Sequence, residues 1–337
     1  KHCLNLRFSP LLFMQATDVL IIGAGISGLI CATELRKVDK SVRILDKGRG
    51  LGGRMATRRM AGGRLDHGAQ YFTVRDPRLQ AYADDWLAAG IIKEWFRHLP
   101  EDTNADGYPR YCGIAGMTDV PKHLAKELDV CNSQQVIELS RDADRWTARI
   151  ASGDSFYSKH LVITAPLPQA INLLDATGLA YANGASDALR AVRYERGLAT
   201  LAILDGASGL PEPGGIKIHE TPLTWIADNQ QKGISPDVSA ITIHADADFA
   251  EAHWDSPNEV RGPLMLDAAA PHLSANVLEY DCHRWGFTTP MNPWPDPYFQ
   301  NAGLQLTLAG DSFGGARVEG AALSGIEAAA AVLLGLV

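Results

Sequence analysis

The chain has 337 residues, 46% hydrophobic and 21% charged, with a formal net charge of −8. That length exceeds what one compact core usually serves, so two domains are expected. The balance of 31 Lys and Arg against 39 Asp and Glu disfavours nucleic acid as the main partner, because phosphate binding needs a basic surface. Five cysteines, widely spaced and without a CxxC pair, point away from a disulfide framework or a zinc site and fit a reducing cytoplasm.

Residues 1–13 carry basic residues and a short apolar patch broken by Pro10, and read as a leader or start-site extension. No apolar run reaches about 18 residues, so no membrane span is expected. The first element is the apolar tract Val19-Leu20-Ile21-Ile22, which lacks alternation, as in a parallel strand buried on both faces. It runs into Gly23-Ala24-Gly25-Ile26-Ser27-Gly28, a G-x-G-x-x-G turn, after which Ile30, Cys31, Glu34 and Leu35 follow helical spacing. Gly23 makes the turn, Gly25 lets a pyrophosphate approach, and Gly28 lets the helix lie close on the strand. Ile26 and Ser27 head that helix, where unpaired N–H groups face an anion. A second strand, Val42–Leu45, ends in Asp46-Lys47; Asp46 lies 18 residues beyond Gly28, where a carboxylate accepts hydrogen bonds from an unphosphorylated adenosine ribose.

The next segment, "DKGRGLGGRMATRR" (46–59), adds a glycine-rich loop with Gly53, Arg54 and Met55 that a plain NAD domain has no reason to carry. With "LDHGAQYFT" (65–73), it resembles the flavin amine-oxidase superfamily and, within it, the renalases. The resemblance implies that the G-G-R segment lines FAD and that Gly68-Ala69-Gln70-Tyr71 passes near its isoalloxazine ring. Further matches follow in the same order: "GIAGMTDVPKHLAKEL" (113–128), "SQQVIEL" (133–139) with Val136 at the adenine, and "HLVITAP" (160–166) with Thr164 and Ala165 at the end of a buried strand. Near the C-terminus, "LTLAGDSFGGARVEGAALSGIEAAAAVL" (306–333) reads as a short strand, a turn at Gly310-Asp311 and an Ala-rich helix from Val318. The resemblance puts Asp311 at the ribityl chain or phosphate of FAD. It also turns the amides of Val318, Glu319, Gly320 and Ala321 toward the flavin, where the helix dipole favours acceptance of a hydride.

The expected fold class is therefore α/β: a Rossmann-like FAD-binding domain of the glutathione reductase/amine oxidase type with an inserted α+β substrate domain on a mainly antiparallel sheet. The expected boundaries are 14–75, 112–172 and 300–337 for the FAD domain, and 76–111 with 173–299 for the substrate domain. The stretch Ser312–Arg317 has no cysteine, so FAD is expected to be bound non-covalently, and no lysine stands out as the family's active-site lysine. In the substrate domain, tracts 199–206, 222–233 and 239–254 have strand patterning, and Trp225, His244 and Arg284 resemble renalase landmarks. With Gln70 they are the catalytic candidates. His244 has an equally ordinary reading as a core histidine, Arg284 and Trp285 as a domain contact, and Trp225 as a cavity wall.

The resemblance implies oxidation of 2- and 6-dihydro isomers of NAD(P), with hydride passing to flavin N5 and then O2 yielding NAD(P)+ and H2O2. The ring nitrogen drives hydride departure, so no strong general base is required. The protein's task is to hold the donor carbon about 3 to 3.5 Å from the acceptor. An amine oxidase-like oxidoreductase, a non-catalytic flavin-binding protein and an NAD-dependent dehydrogenase are the rival readings.

Overall fold

The computed structural model describes residues 16–100 and 106–336; the expected leader and Cys3 lie outside them. Four parallel pairings organise an eight-stranded sheet. Thr17–Ile22 lies between Ser155–Ile163 and Val42–Leu45, Val42–Leu45 also pairs with Asp129–Cys131, and Ser155–Ile163 also pairs with Leu306–Leu308. Antiparallel strands Val136–Arg141, Trp146–Ile150 and Phe299–Asn301 complete it. The missing alternation in the first strand has a direct cause: Val19 and Ile21 pack into one hydrophobic core with Leu29, Ile30 and Val332, while Leu20 and Ile22 pack into another with Leu167, Ile171 and Trp146. Each fully buried aliphatic contributes about 1.5–3 kcal/mol.

Helix Ile26–Arg36 lies against the C-terminal helix Val318–Gly335 at backbone distance, since a Cβ on Gly325 would sit 2.3 Å from the Ser27 carbonyl oxygen. With a mean hydropathy of 1.5, that C-terminal helix is long and apolar enough to cross a membrane, contrary to the expectation from apolar runs; half of it is buried inside the protein, where small residues let the two helices approach.

The second sheet has five antiparallel strands in the order Gly215–Lys217, Leu223–Asp228, Ala240–Ala245, Gly197–Leu204 and Val277–Trp285. Helix Asn258–Ala269 covers one face through Met265 and Ala269. The tract 239–254 departs from its strand reading. It is a strand only over Ala240–Ala245, and Asp246 then accepts a hydrogen bond from the Phe249 amide at 2.7 Å and starts helix Ala247–Ala252. Strand and N-cap signals are adjacent there, and the cap prevails. Two hairpins, Thr57–Met60 with Gly63–Asp66 and Ile92–Phe96 with Arg110–Gly113, stand between the sheets.

Candidate active site

Ile22, Leu45, Thr164 and Gly310 stand at the carboxyl ends of the parallel strands and open onto a cavity of 1770 Å3 whose far side belongs to the five-stranded sheet. This is where ligands bind in open α/β sheets.

The glycine turn divides into two kinds of position. A Cβ on Gly28 would lie 2.1 Å from the Gly23 carbonyl oxygen, and one on Gly23 (φ +115°) 2.6 Å from Thr164 Oγ1, so both glycines serve the close crossing of strand and helix. Thr164 closes that crossing by donating to the Gly23 carbonyl at 3.1 Å. Gly25 is different. It is extended (φ −76°, ψ 176°), lines the cavity, and a Cβ there would meet nothing within 4 Å, so no protein contact requires a glycine. The first helix starts at this residue without a side-chain cap. Its leading amides, with cavity-lining Ile26 and Ser27, therefore face the space a pyrophosphate would fill.

Asp46 accepts from the Ala24 amide at 2.6 Å through one oxygen and from the Gly48 amide at 2.6 Å through the other. Each carboxylate oxygen keeps a second lone pair for a ribose hydroxyl. Val136 and Ala165 line the cavity near this end, and Lys47 donates to Gln169 Oε1 at 2.8 Å.

The two chain termini of the nucleotide fold meet through charge. Arg54 grips Asp311 with two nitrogens, at 2.5 and 2.8 Å, and donates to the Thr288 carbonyl at 3.1 Å. Tyr194 adds a hydrogen bond to Asp311 at 3.0 Å and another to Ser312. Burial opposes the Arg54 charge, but the Asp311 pair outweighs it and holds the guanidinium pKa above its ordinary value. Asp311 thus has a protein partner as well as the expected cofactor role.

Glu319 points away from its own helix end and accepts from the Arg75 and Asp76 amides at 2.5 and 2.8 Å. The N-terminus of Val318–Gly335 has no side-chain cap, and Val318, Glu319 and Ala321 line the cavity. Gly320 does not; a Cβ there would strike the Gly314 carbonyl oxygen at 2.2 Å, so it serves packing. Gly68 is likewise a crossing point, its Cβ position 2.1 Å from the Arg54 carbonyl oxygen, and Ala69 donates to that oxygen at 2.8 Å. The two glycine-rich segments are thereby knitted into one wall that includes Gly53, Met55, Ala69 and Tyr71.

On the opposite wall, His67, His244, His283 and Trp285 line the cavity together. Their rings touch: His67 lies 4.8 Å from His283 and 4.9 Å from Trp285, and His283 lies 4.4 Å from Trp285, centroid to centroid. Burial, aided by the neighbouring imidazole of His283, pushes His67 down to about 3; burial pushes His244 down to about 4 despite a hydrogen bond to the His67 backbone. His283 is lowered by the same burial. All three imidazoles are neutral at pH 7.

Two candidates fall elsewhere. Gln70 sits behind the wall, donating to the Asp66 carbonyl at 2.5 Å and lying 3.5 Å from His244 Nε2. Trp225 is not a cavity wall: it packs with Tyr71, Trp95 and Phe96, and of these rings only Tyr71 lines the cavity. Trp225 is paired directly with His244 and shares its face of the sheet, but its indole packs against Tyr71 and Trp95 instead of reaching the cavity.

Sequence reasoning passed over Lys232. It is fully buried, its ammonium donates to Asp66 Oδ2 at 2.7 Å and to the Gln70 carbonyl at 2.5 Å, and it lies 4.7 Å from the Trp95 ring centroid. Asp66 also accepts from Thr57 at 2.6 Å and from the Met117 amide at 2.9 Å. The lysine ties the second sheet to the flavin-side wall rather than entering the cavity. Its only sequence signal was a lysine ending a strand-and-turn tract.

The residues present fit FAD: two uncapped helix ends, a glycine that only a ligand requires, and a carboxylate at the ribose position. No described cysteine lines the cavity. Comparison with known proteins agrees. A Rossmann-like NAD(P)-binding profile matches residues 21–86, and the flavin containing amine oxidoreductase profile matches residues 98–333. Mouse renalase is 23% identical over 88% of this chain and 92% of its own length. Among solved structures, a triple mutant of putrescine oxidase superposes with a TM-score of 0.72 at 15% identity, covering 95% of this chain and 99% of the other. Cyclohexylamine oxidase from Brevibacterium oxydans IH-35A does so with 0.70 at 15%, covering 96% and 100%. The chain belongs to the flavin-containing amine oxidoreductase family, is similar to renalase along most of its length, and is an FAD-dependent oxidoreductase.

Proposed function

We propose that the protein oxidises the 2- and 6-dihydro isomers of NAD(P). The observation that carries this reading is the charge of the cavity. In a chain with a net charge of −8, ten Lys and Arg side chains line it against six carboxylates. The surplus of four exceeds the two charges of one pyrophosphate and suits a second phosphate-bearing ligand, whereas a cationic amine would be repelled. The volume of 1770 Å3 agrees, being well above the roughly 300–1,000 Å3 of a single-ligand pocket. The rings that would form an amine cage, Trp95, Phe96 and Trp225, are packed on one another.

Bound FAD would supply the hydride acceptor and the route of electrons to O2. The chain's own contribution is placement and exclusion. His67, His283 and Trp285 present a neutral aromatic surface, its rings set edge to face, against which a nicotinamide ring can pack. Their neutrality supports departure of a hydride, since the imidazoles themselves add no positive charge beside the pyridinium that forms. Anaerobic mixing of the holoprotein with each isomer and, in parallel, with primary and secondary amines tests this. Flavin bleaching by at least one isomer is expected; bleaching by amines alone would replace the reading with an amine oxidase.

A further inference from the structure

Beyond the histidine wall, one end of the five-stranded sheet forms the cavity rim. The strand Gly197–Leu204 begins there and Val277–Trp285 ends there, with Gly197 opposite Trp285 and Leu198 opposite Arg284. Side chains alternate along a strand. His283 and Trp285 therefore turn to His67, while Arg284 turns to the other face, where Trp254 receives it.

Arg196, immediately before the partner strand, reaches the same indole. The Arg196 guanidinium lies 4.8 Å and that of Arg284 5.4 Å from the Trp254 ring centroid, and Arg284 also donates to the Trp254 carbonyl at 3.1 Å. Both arginines line the cavity. Two like charges gathered on one ring repel each other unless an anion joins them, and the anions at hand are few. Arg196 makes one long contact to exposed Glu251 at 3.3 Å, and Arg284 makes no ion pair among the described residues. Glu195 and Asp246 also line this part of the cavity and would hold a dianion near the two guanidiniums rather than deeper along that rim. An arginine has five donors in a planar fork matched to phosphate oxygens, and stacking on an indole orients that fork.

We propose that Arg196 and Arg284, oriented by Trp254, form the subsite that grips the phosphates of the substrate dinucleotide, leaving the nicotinamide at the histidine wall. This rests on the dihydronicotinamide reading, so its test must be separable from that reading. Holoprotein of the wild type, Arg196→Gln, Arg284→Gln and the double variant is mixed anaerobically with a 2- or 6-dihydronicotinamide dinucleotide and with the matching riboside, which has no phosphate.

The double variant should need about tenfold or more dinucleotide for half-maximal reduction, a far larger loss than with the riboside, and should show a weaker salt dependence than the wild type. Unchanged dinucleotide saturation, or an equal loss with the riboside, would overturn the subsite. Titration of ADP-ribose into the oxidised holoproteins, followed by flavin fluorescence or calorimetry, decides the matter even if no dihydronicotinamide reduces the wild type. Weaker binding to the double variant supports the subsite, and equal or absent binding overturns it.

Discussion

On one side of the cavity the inward-facing groups are backbone amides and glycines, at the starts of Ile26–Arg36 and Val318–Gly335. On the other they are rings, His67, His283 and Trp285 among them, with the Arg284 guanidinium at the rim. The first wall suits the part that dinucleotide cofactors share, a pyrophosphate and a ribose, with groups every residue possesses, so its requirement is on shape and appears in sequence as glycine spacing. The second wall must recognise a particular substrate, and its side chains come from strands far apart in the chain.

The sharpest way to break the comparison is to make one substitution at two positions of the same motif. Gly28→Ala puts a Cβ 2.1 Å from a backbone oxygen and should cost at least about 5 kcal/mol, enough to prevent folding. Gly25→Ala meets nothing, so the apoprotein should melt within a few degrees of wild type while FAD affinity falls about tenfold or more. Thermal melts of apoprotein with flavin titration check both. A Gly25→Ala protein that keeps its flavin would remove the ligand-based account of the first wall.

Lys232 probes the join between the walls. Lys232→Met leaves the Asp66 carboxylate buried and uncompensated, for an expected loss of about 3–5 kcal/mol in urea unfolding. Adding Asp66→Asn, which removes that charge and can still accept from Thr57 and Met117, should restore a large part. No recovery in the double variant would mean that the pair is not the unit that couples the sheets.

The effect that is smallest near neutral pH, and grows only in acid, comes from the second wall alone. With His67 at about 3 and His244 at about 4 in the folded protein, the unfolded chain binds protons that the folded one refuses between about pH 4 and 6.5. Their neutral burial is therefore fully tolerated above pH 6.5, and stability falls as pH drops through that window, by up to about 1.4 kcal/mol per pH unit for each histidine. Melting temperature against pH should show a shallower acid slope for His67→Gln. Identical slopes would show that the histidine is solvated.

The strand, turn and helix at 17–36, Asp46 and the C-terminal helix from Val318 were legible because each is a local pattern: apolar runs, glycines at fixed spacing, an acid at a strand end. The tract 239–254 was half legible, since the Asp246 cap that converts strand to helix lies inside a continuing apolar pattern. Trp225 was misplaced because the rings packed against its indole, Tyr71 and Trp95, come from segments far away in the chain, which no local pattern contains. Lys232 was invisible, because a buried lysine is recognised by its partner Asp66, 166 residues away.

Local chain stereochemistry determined the nucleotide fold by itself: a turn that tolerates no Cβ and a helix end that offers its amides are properties of adjacent residues, and they named the cofactor class before any packing was known. Tertiary structure alone decided the substrate side. Neutral histidines, the Lys232–Asp66 tie and the two arginines on Trp254 acquire their charge state and aim from neighbours that only folding brings within a few ångströms, where burial and Coulomb forces act.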